Sequence, residues 1–179
     1  AAMVAKDVGA TLCMVHVIND PALARLRRLL AESRDDVEPR IRQTIEQDIA
    51  RLGERLAQAH GVTAQADVVT GAVIAGILGH AAASRADLLV LGARGSSFMR
   101  HLVLGSTAER LIRRSDRPLL VVKQPPHERY QRVLVAVDFS RSSLATLATA
   151  RAVAPHADLV LFHAYDVPYE DWMRTADVR

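Results

Sequence analysis

The chain has 179 residues, of which 50% are apolar, 24% are charged and 4% are aromatic, and its formal net charge is +3. These proportions predict a globular protein with a sizeable core, and the mild charge and scarce aromatic side chains argue against a nucleic-acid partner. Apolar runs are too short for a membrane span, and the single cysteine, Cys13, excludes an internal disulfide. We therefore expect a cytoplasmic protein without a membrane partner, in which Cys13 is a small buried apolar residue.

The predicted elements of the first half alternate between helices and strands. In chain order, apolar periodicity predicts a helix over residues 3–9, a strand over 11–18, helices over 21–33 and 37–60, a strand over 62–69 and a helix over 73–84. Charged residues fill the outer positions of the two long helices, which is typical of a solvated face, so we assign them no chemistry. The alternation favours a parallel sheet covered by helices.

Residues 88–123 combine a strand, a glycine loop, a helix and a second strand. Gly92 and Gly95 follow the first strand, and Gly105 and Ser106 open the helix. Glycine lets backbone N–H groups approach a ligand, and the start of a helix carries unpaired N–H groups and the positive end of the helix dipole. Together these features favour a phosphate site. Taken one at a time, the glycines could instead only turn the chain, and Ser106 could only cap the helix. Arginines around the loop would suit an anionic ligand: Arg94, Arg100, Arg110, Arg113, Arg114 and Arg117.

The composition changes after Lys123, where a polar stretch with two prolines predicts a linker. We expect a first domain over residues 1–124, a linker over 125–130 and the start of a second domain over 131–179. This second part is predicted to contain a strand over residues 133–137, a helix over 144–154 and a strand over 159–165. Asp138 follows the first of these strands, where it could cap the next helix or recognise a ligand.

The second part of the chain repeats the beginning of the first. Without gaps, the repeat aligns Leu12 with Leu159, His16 with His163, and Pro21 with Pro168. Because the two histidines stand at equivalent positions in apolar runs, a shared packing role is favoured over metal binding. The repeat indicates two copies of one domain, the second of which is present only in its first elements.

The pattern G-x2-G-x9-G-S that begins at Gly92, followed by TAERLIRRSDRPLLVVK, closely resembles the nucleotide-binding loop of the universal stress protein family. The segment VLVAVDFS, which contains Asp138, resembles the first strand and helix of the same domain. The resemblance implies a flavodoxin-like or Rossmann-like α/β fold with a doubly wound parallel sheet of strand order 3-2-1-4-5, and binding of ATP with or without Mg2+. The nucleotide-binding residues that it implies are Val17, Gly92, Ala93, Arg94, Gly95, Gly105, Ser106, Thr107 and Asp138.

The resemblance further implies a nucleotide-dependent stress-response or signalling module. No catalytic residue and no metal ligand is assigned, and hydrolysis is expected to be slow at most, because the sequence offers no evident general base. A module of the same fold that dimerises without binding nucleotide is the alternative. In this family the last strand pairs with its counterpart, so we expect a homodimer, or a pseudo-dimer within one chain, through residues 118–123.

In this strand order the first strand lies between the second and the fourth, and residues 1–124 contain no candidate for it. We expect a piece of a longer tandem protein in which preceding residues supply this strand. The alternative is that residues 132–154 dock into the gap. Pairing of Val135 with the strands of Val15 and Val90 would establish that second arrangement.

Overall fold

The computed structural model describes residues 1–30, 34–93, 105–124 and 127–165. Its helices are α1 (Ala2–Val8), α2 (Asp20–Leu30), α3 (Arg34–His60), α4 (Val73–Ala83), α5 (Ser106–Arg114) and α6 (Arg141–Val153). Its strands are β1 (Leu12–Asn19), β2 (Ala64–Gly71), β3 (Leu89–Gly92), β4 (Leu119–Val122), β5 (Arg132–Ala136) and β6 (Asp158–Phe162). The predicted helices and strands are confirmed, with ends that shift by a few residues.

All strand pairs in the described residues are parallel. β1 pairs with β2, β3 pairs with β4, and β5 pairs with β6, each in a separate two-stranded sheet. The alternation of helices with parallel strands confirms the α/β class. The first two pairs are neighbours in the predicted order, but the complete order 3-2-1-4-5 stays a prediction, because no described strand lies between β1 and β3.

The chain divides into two compact units, residues 1–128 and 129–179. Strand β5 pairs with β6 inside the second unit, in a register that sets Val135 opposite Leu161. The alternative in which residues 132–154 complete the sheet of the first unit is therefore wrong.

One face of the β1–β2 sheet is covered by α2 and α3. Ile18 and Leu23 are buried there, and Ile41, Ile45 and Val68 pack against them. The apolar residues of α3 recur at helical spacing, so a single stripe of this long helix can face the sheet while most of its charged residues are exposed. This layer is the main apolar core of the first unit.

The other face of the same sheet is covered by α4. Val17 and Val69 are paired across the two strands, and a Cβ atom placed on Gly76 would lie 3.0 Å from both methyl groups of Val17 and 3.5 Å from one of Val69. The helix therefore approaches the sheet so closely at Gly76 that a side chain there would require Val17 to move by a few tenths of an ångström. This close contact fixes the position of α4 over β1.

Left-handed residues follow three of the described helices that precede strands, α1, α3 and α4. Gly9 and Gly61, which follow α1 and α3, have φ angles of 67° and 66°, where glycine carries no steric penalty. Arg85 takes the same conformation after α4, with φ 50°, and the Ala86 N–H donates to the Ala81 carbonyl at 2.9 Å. The Arg117 guanidinium then donates to the Ala86 carbonyl at 3.0 Å, which ties this turn to the start of β4.

Side-chain hydrogen bonds also connect α3 to β2. Arg42 donates from Nη1 to the Val68 carbonyl and from Nη2 to the Thr70 hydroxyl, both at 2.8 Å. The Thr70 hydroxyl donates in turn to Glu38 at 3.2 Å. The planar guanidinium suits this arrangement because it presents several N–H groups in one rigid fork.

In the second unit, α6 packs against β5. Val135 is buried at 2% exposure, whereas its neighbour Leu134 is 64% exposed and Val160, the partner of Leu134, is also exposed. Adjacent residues of a strand point to opposite faces. The described part of this unit therefore covers only one face of its sheet.

Candidate functional site

The segment between β3 and α5 is closed at its base by backbone hydrogen bonds. The Ala93 N–H donates to the Val122 carbonyl at 2.8 Å, which continues the ladder between β3 and β4 by one residue. The Gly105 N–H donates in turn to the Ala93 carbonyl at 3.0 Å. Ala93 is itself only 6% exposed. The two flanks of residues 94–104 are therefore held together at the carboxyl end of β3.

Helix α5 begins without a side-chain cap. Gly105 is the N-cap residue, and the first helical hydrogen bond runs from the Glu109 N–H to the Gly105 carbonyl at 3.0 Å. The N–H groups of Ser106, Thr107 and Ala108 precede this bond, so the helix provides no acceptor for them. Because Ser106 is the first helical residue and makes no capping hydrogen bond, the interpretation of Ser106 as a helix cap is wrong.

The geometry brings together five of the predicted nucleotide-binding residues. They follow one another around the end of β3 and the start of α5: Gly92, Ala93, Gly105, Ser106 and Thr107. Ser106 and Thr107 are exposed, so the positive end of the helix dipole faces solvent. Two other predicted residues, Arg94 and Gly95, lie outside the described residues.

The remaining two predicted residues are located elsewhere. Val17 belongs to β1, and its methyl groups face Gly76 of α4, so its side chain is engaged in packing. Asp138 belongs to the second unit. The role of these two residues in nucleotide binding stays a prediction.

The described arginines of the loop region have different roles. Arg113 forms an ion pair with Glu109 one helical turn away, at 3.3 Å. Arg117 donates to the Ala86 carbonyl and lies 3.7 Å from Asp116, and it holds a turn in place rather than facing a ligand. Of the predicted anion-binding arginines in the described part of the chain, only Arg110 and Arg114 remain as exposed candidates without such a structural role.

Asp138 organises the turn between β5 and α6. Its Oδ1 accepts hydrogen bonds from the Ser140 N–H at 2.9 Å and from the Ser143 hydroxyl at 2.6 Å. The Ser143 hydroxyl oxygen also accepts the Asp138 N–H at 3.0 Å. These hydrogen bonds from Ser140 and Ser143 hold the pKa of the Asp138 carboxyl well below its ordinary value. Ser140, not Asp138, is the N-cap residue of α6, so the carboxylate stabilises the turn that precedes the helix.

Three rings lie beside this turn. Phe139 has a φ of 60° and is 80% exposed, and its ring centroid lies 4.7 Å from that of His163. The His163 ring is stacked at 6.4 Å on Tyr165. His163 Nδ1 lies 2.7 Å from the Val137 carbonyl and so carries the proton of that hydrogen bond. His163 thus links, by a hydrogen bond, the residues that follow β5 and β6. His16 is exposed, so the packing role predicted for both histidines is wrong.

A second group of reactive side chains lies between the β1–β2 sheet and α4. Cys13 Sγ is 3.2 Å from His80 Nε2 and 3.6 Å from Asp67 Oδ2, and the last two atoms are 3.6 Å apart. Cys13 is half-buried rather than fully buried as predicted. Burial first, and then the Asp67 carboxylate, raise the pKa of the Cys13 thiol. The sequence alone does not reveal this group, because its members come from three separate elements and no spacing connects them.

Among the described residues, no helix combines the length and the apolar character that a membrane span requires.

Known proteins resemble this chain in sequence. The sequence profile of the universal stress protein family matches residues 1–123. A universal stress protein of Methanocaldococcus jannaschii is 27% identical over 125 residues, an alignment that covers 70% of this chain and 72% of that protein. A universal stress protein of Mycolicibacterium smegmatis is 29% identical over 140 residues, which are 73% of this chain and 47% of that protein. The chain thus spans about half the length of this second relative.

Solved structures resemble the chain in fold. A universal stress protein from Archaeoglobus fulgidus matches with a TM-score of 0.73 at 22% identity, over 98% of this chain and 66% of its own. The hypothetical protein MJ0577 matches with a TM-score of 0.55 at 20% identity, over 65% of this chain and 78% of its own. These likenesses support the Rossmann-like α/β fold. Together with the profile match over residues 1–123, they lead to the conclusion that the chain belongs to the universal stress protein family.

Proposed function

We propose that the chain is a stress-response module that binds ATP, with or without Mg2+, and signals through its nucleotide occupancy. The observation that carries this proposal is the start of α5, which has no side-chain cap. The hydrogen bond between Gly105 and Ala93 holds this helix start at the end of β3. Exposed N–H groups at a helix start, next to the carboxyl end of a parallel strand, suit the phosphates of a nucleotide.

The conformation of Gly105 supports a role in letting a phosphate approach the backbone closely. Its φ of −59° and ψ of 146° lie in a region that every residue can adopt, so the backbone does not require glycine there. We propose that the missing side chain lets a phosphate oxygen approach the N–H groups of Ser106 and Thr107 and accept hydrogen bonds from them.

The choice of ATP among anionic ligands rests on membership of the family and on the matching glycine pattern. We propose Arg94, Gly95, Val17 and Asp138 as further nucleotide-binding residues on the same grounds. The proposed module hydrolyses ATP slowly at most, and single-turnover measurements would reveal any faster reaction. We propose the cytoplasm as its location, which the single cysteine favours.

Mass spectrometry of nucleotide released from freshly purified protein tests the proposal, followed by calorimetric titration with ATP. Gly105→Val should abolish binding without unfolding the chain, because its side chain would fill the space beside the helix start. Gly79→Ala is the matched control, since a Cβ atom at Gly79 meets nothing within 4 Å. Unchanged ATP affinity in a folded Gly105→Val variant would place the phosphate site elsewhere.

An interaction module that dimerises without nucleotide is a second candidate. The outer edge of β4 favours it, because β4 pairs only with β3 in the described residues and can accept a further strand. The two functions are compatible with one another. A dimer that neither carries nor binds nucleotide would support this second function and rule out the first.

A further inference from the structure

We propose that Cys13, Asp67 and His80 form a binding site for a divalent transition metal of the zinc type. The site lies between the β1–β2 sheet and α4, and it is independent of the nucleotide-binding function proposed above. Each residue contributes one ligand atom: the Cys13 thiolate sulfur, the Asp67 carboxylate oxygen Oδ2 and the His80 ring nitrogen Nε2.

The distances among the three ligand atoms fit one shared metal ion. Their separations are 3.2 Å between sulfur and nitrogen, 3.6 Å between sulfur and oxygen, and 3.6 Å between nitrogen and oxygen. Zinc bonds of about 2.3 Å to sulfur and about 2.0–2.2 Å to nitrogen and oxygen, at tetrahedral angles, separate such atoms by about 3.4–3.6 Å. The observed triangle therefore needs only small side-chain adjustments to hold the ion.

The same geometry argues against a thiol nucleophile with a catalytic triad. In a triad the carboxylate accepts from one ring nitrogen while the nucleophile contacts the other. Here Cys13 and Asp67 both approach Nε2 of His80. Both side chains thus converge on one point instead of forming a relay through the ring.

The elements that supply the ligands hold them in place. The parallel register sets Cys13 opposite Gln65 and Val15 opposite Asp67, so Cys13 and Asp67 lie near one another on neighbouring strands. His80 reaches them from the last turn of α4, whose position over the sheet is fixed at Gly76. Residues on strands and helices keep a metal site more precise than residues on loops do.

The ligand set indicates both the class of metal and an open coordination position. A thiolate, an imidazole and a carboxylate together suit zinc and chemically similar ions, whereas calcium and magnesium prefer oxygen alone. Three protein ligands leave the fourth tetrahedral position for water or another small ligand. Asp67 is 52% exposed and His80 is 17% exposed, so the carboxylate side of the site faces solvent. Binding would release the thiol proton, because the thiolate is the ligand.

Titration of the purified 179-residue chain with Co2+ under reducing conditions tests the site. We expect a saturable complex with one ion per chain, with visible bands of tetrahedral cobalt and a sulfur-to-cobalt charge-transfer band, both displaced by zinc. Loss of a hydrogen-bond partner of a metal ligand alone typically weakens metal binding by roughly 10–100-fold. Cys13→Ser, Asp67→Asn and His80→Gln should therefore each weaken binding by at least about tenfold.

His16→Gln is the matched control, because His16 is an exposed histidine of the same strand as Cys13 and lies outside the group. It should bind cobalt as the unmodified chain does. Zinc should also slow the alkylation of Cys13 in the unmodified chain, which gives a readout that needs no variant to fold. The proposal is overturned if cobalt does not saturate at one ion, if the three variants bind normally, or if zinc leaves the alkylation rate unchanged.

Discussion

The Gly105 N–H donates to the Ala93 carbonyl at 3.0 Å, and this bond fixes the first turn of α5 at the end of β3. Ser106, the first residue of that turn, keeps an N–H group that the helix does not use. The proposed phosphate site depends on this group and on those of the next residues. It can be tested one hydrogen bond at a time.

Ser106→Pro removes the N–H group of Ser106 and should spare the helix. Proline is favoured at the first helical position, and the extended conformation of Gly105 is the one that a following proline requires. Hydrogen bonds to charged groups contribute about 1.5–3 kcal/mol, so ATP affinity should fall by roughly 10–150-fold in calorimetric titration. Ser106→Ala, which keeps the N–H, should lose much less. Equal losses in the two variants would assign the contact to the hydroxyl.

Two glycines of α4 should respond in opposite directions to alanine. A Cβ atom at Gly79 meets nothing within 4 Å, so Gly79→Ala should raise stability by about 0.5–1 kcal/mol through better helix propensity. A Cβ atom at Gly76 would lie 3.0 Å from two methyl groups of Val17, so Gly76→Ala should lower stability by about 1 kcal/mol or more. Urea unfolding followed by circular dichroism measures both. A gain in both variants would mean that α4 is free to move away from the sheet.

The pKa of Asp138 should rise when Ser143 is changed to alanine. The carboxylate then loses the Ser143 hydroxyl and keeps the Ser140 N–H, so the rise should be partial. A folded-state pKa below the ordinary value of about 3.9 stabilises the fold above that pH, and the contribution is lost as the pH falls through the folded pKa. Titration by NMR measures the change. Ser142→Ala, whose hydroxyl is not among these hydrogen-bond donors, should leave the pKa of Asp138 as it is.

Val121→Pro should disrupt the proposed dimer. The Val122 carbonyl faces β3, because it accepts the Ala93 N–H, and the alternation along a strand turns the N–H of Val121 to the outer edge. Proline at that position removes an outward N–H while leaving the β3–β4 ladder intact. Light scattering at micromolar concentration should show a monomer for Val121→Pro and a dimer for Val121→Ile. If the proline variant remained a dimer, the interface would lie on a surface other than the edge of β4.

Local signals in the sequence were sufficient for the elements and for the start of α5. Apolar periodicity depends on neighbours a few residues apart, and the combination of Gly105 and Ser106 marks a helix start within two residues. The sequence left open whether Ser106 caps the helix, because capping depends on which residue leaves the helical conformation first. That difference of one position is decided by the bond from Gly105 to Ala93, which joins two distant parts of the chain.

The group of Cys13, Asp67 and His80 shows what the sequence could not predict. Asp67 lies near Cys13 only because β1 and β2 pair in one particular parallel register. His80 joins them because α4 crosses the sheet at Gly76. Both conditions are products of packing between elements, and neither leaves a pattern of fixed spacing along the chain.

The Arg42 guanidinium occupies two acceptors of β2, the Val68 carbonyl and the Thr70 hydroxyl, and β2 has a strand on only one side in the described residues. A bare strand edge invites the chains of other molecules to pair with it, and a positive charge placed along that edge discourages them. Arg42 would thus protect the edge of β2 from pairing with other molecules and so from aggregation. Its replacement by an apolar residue should produce turbidity that grows with protein concentration.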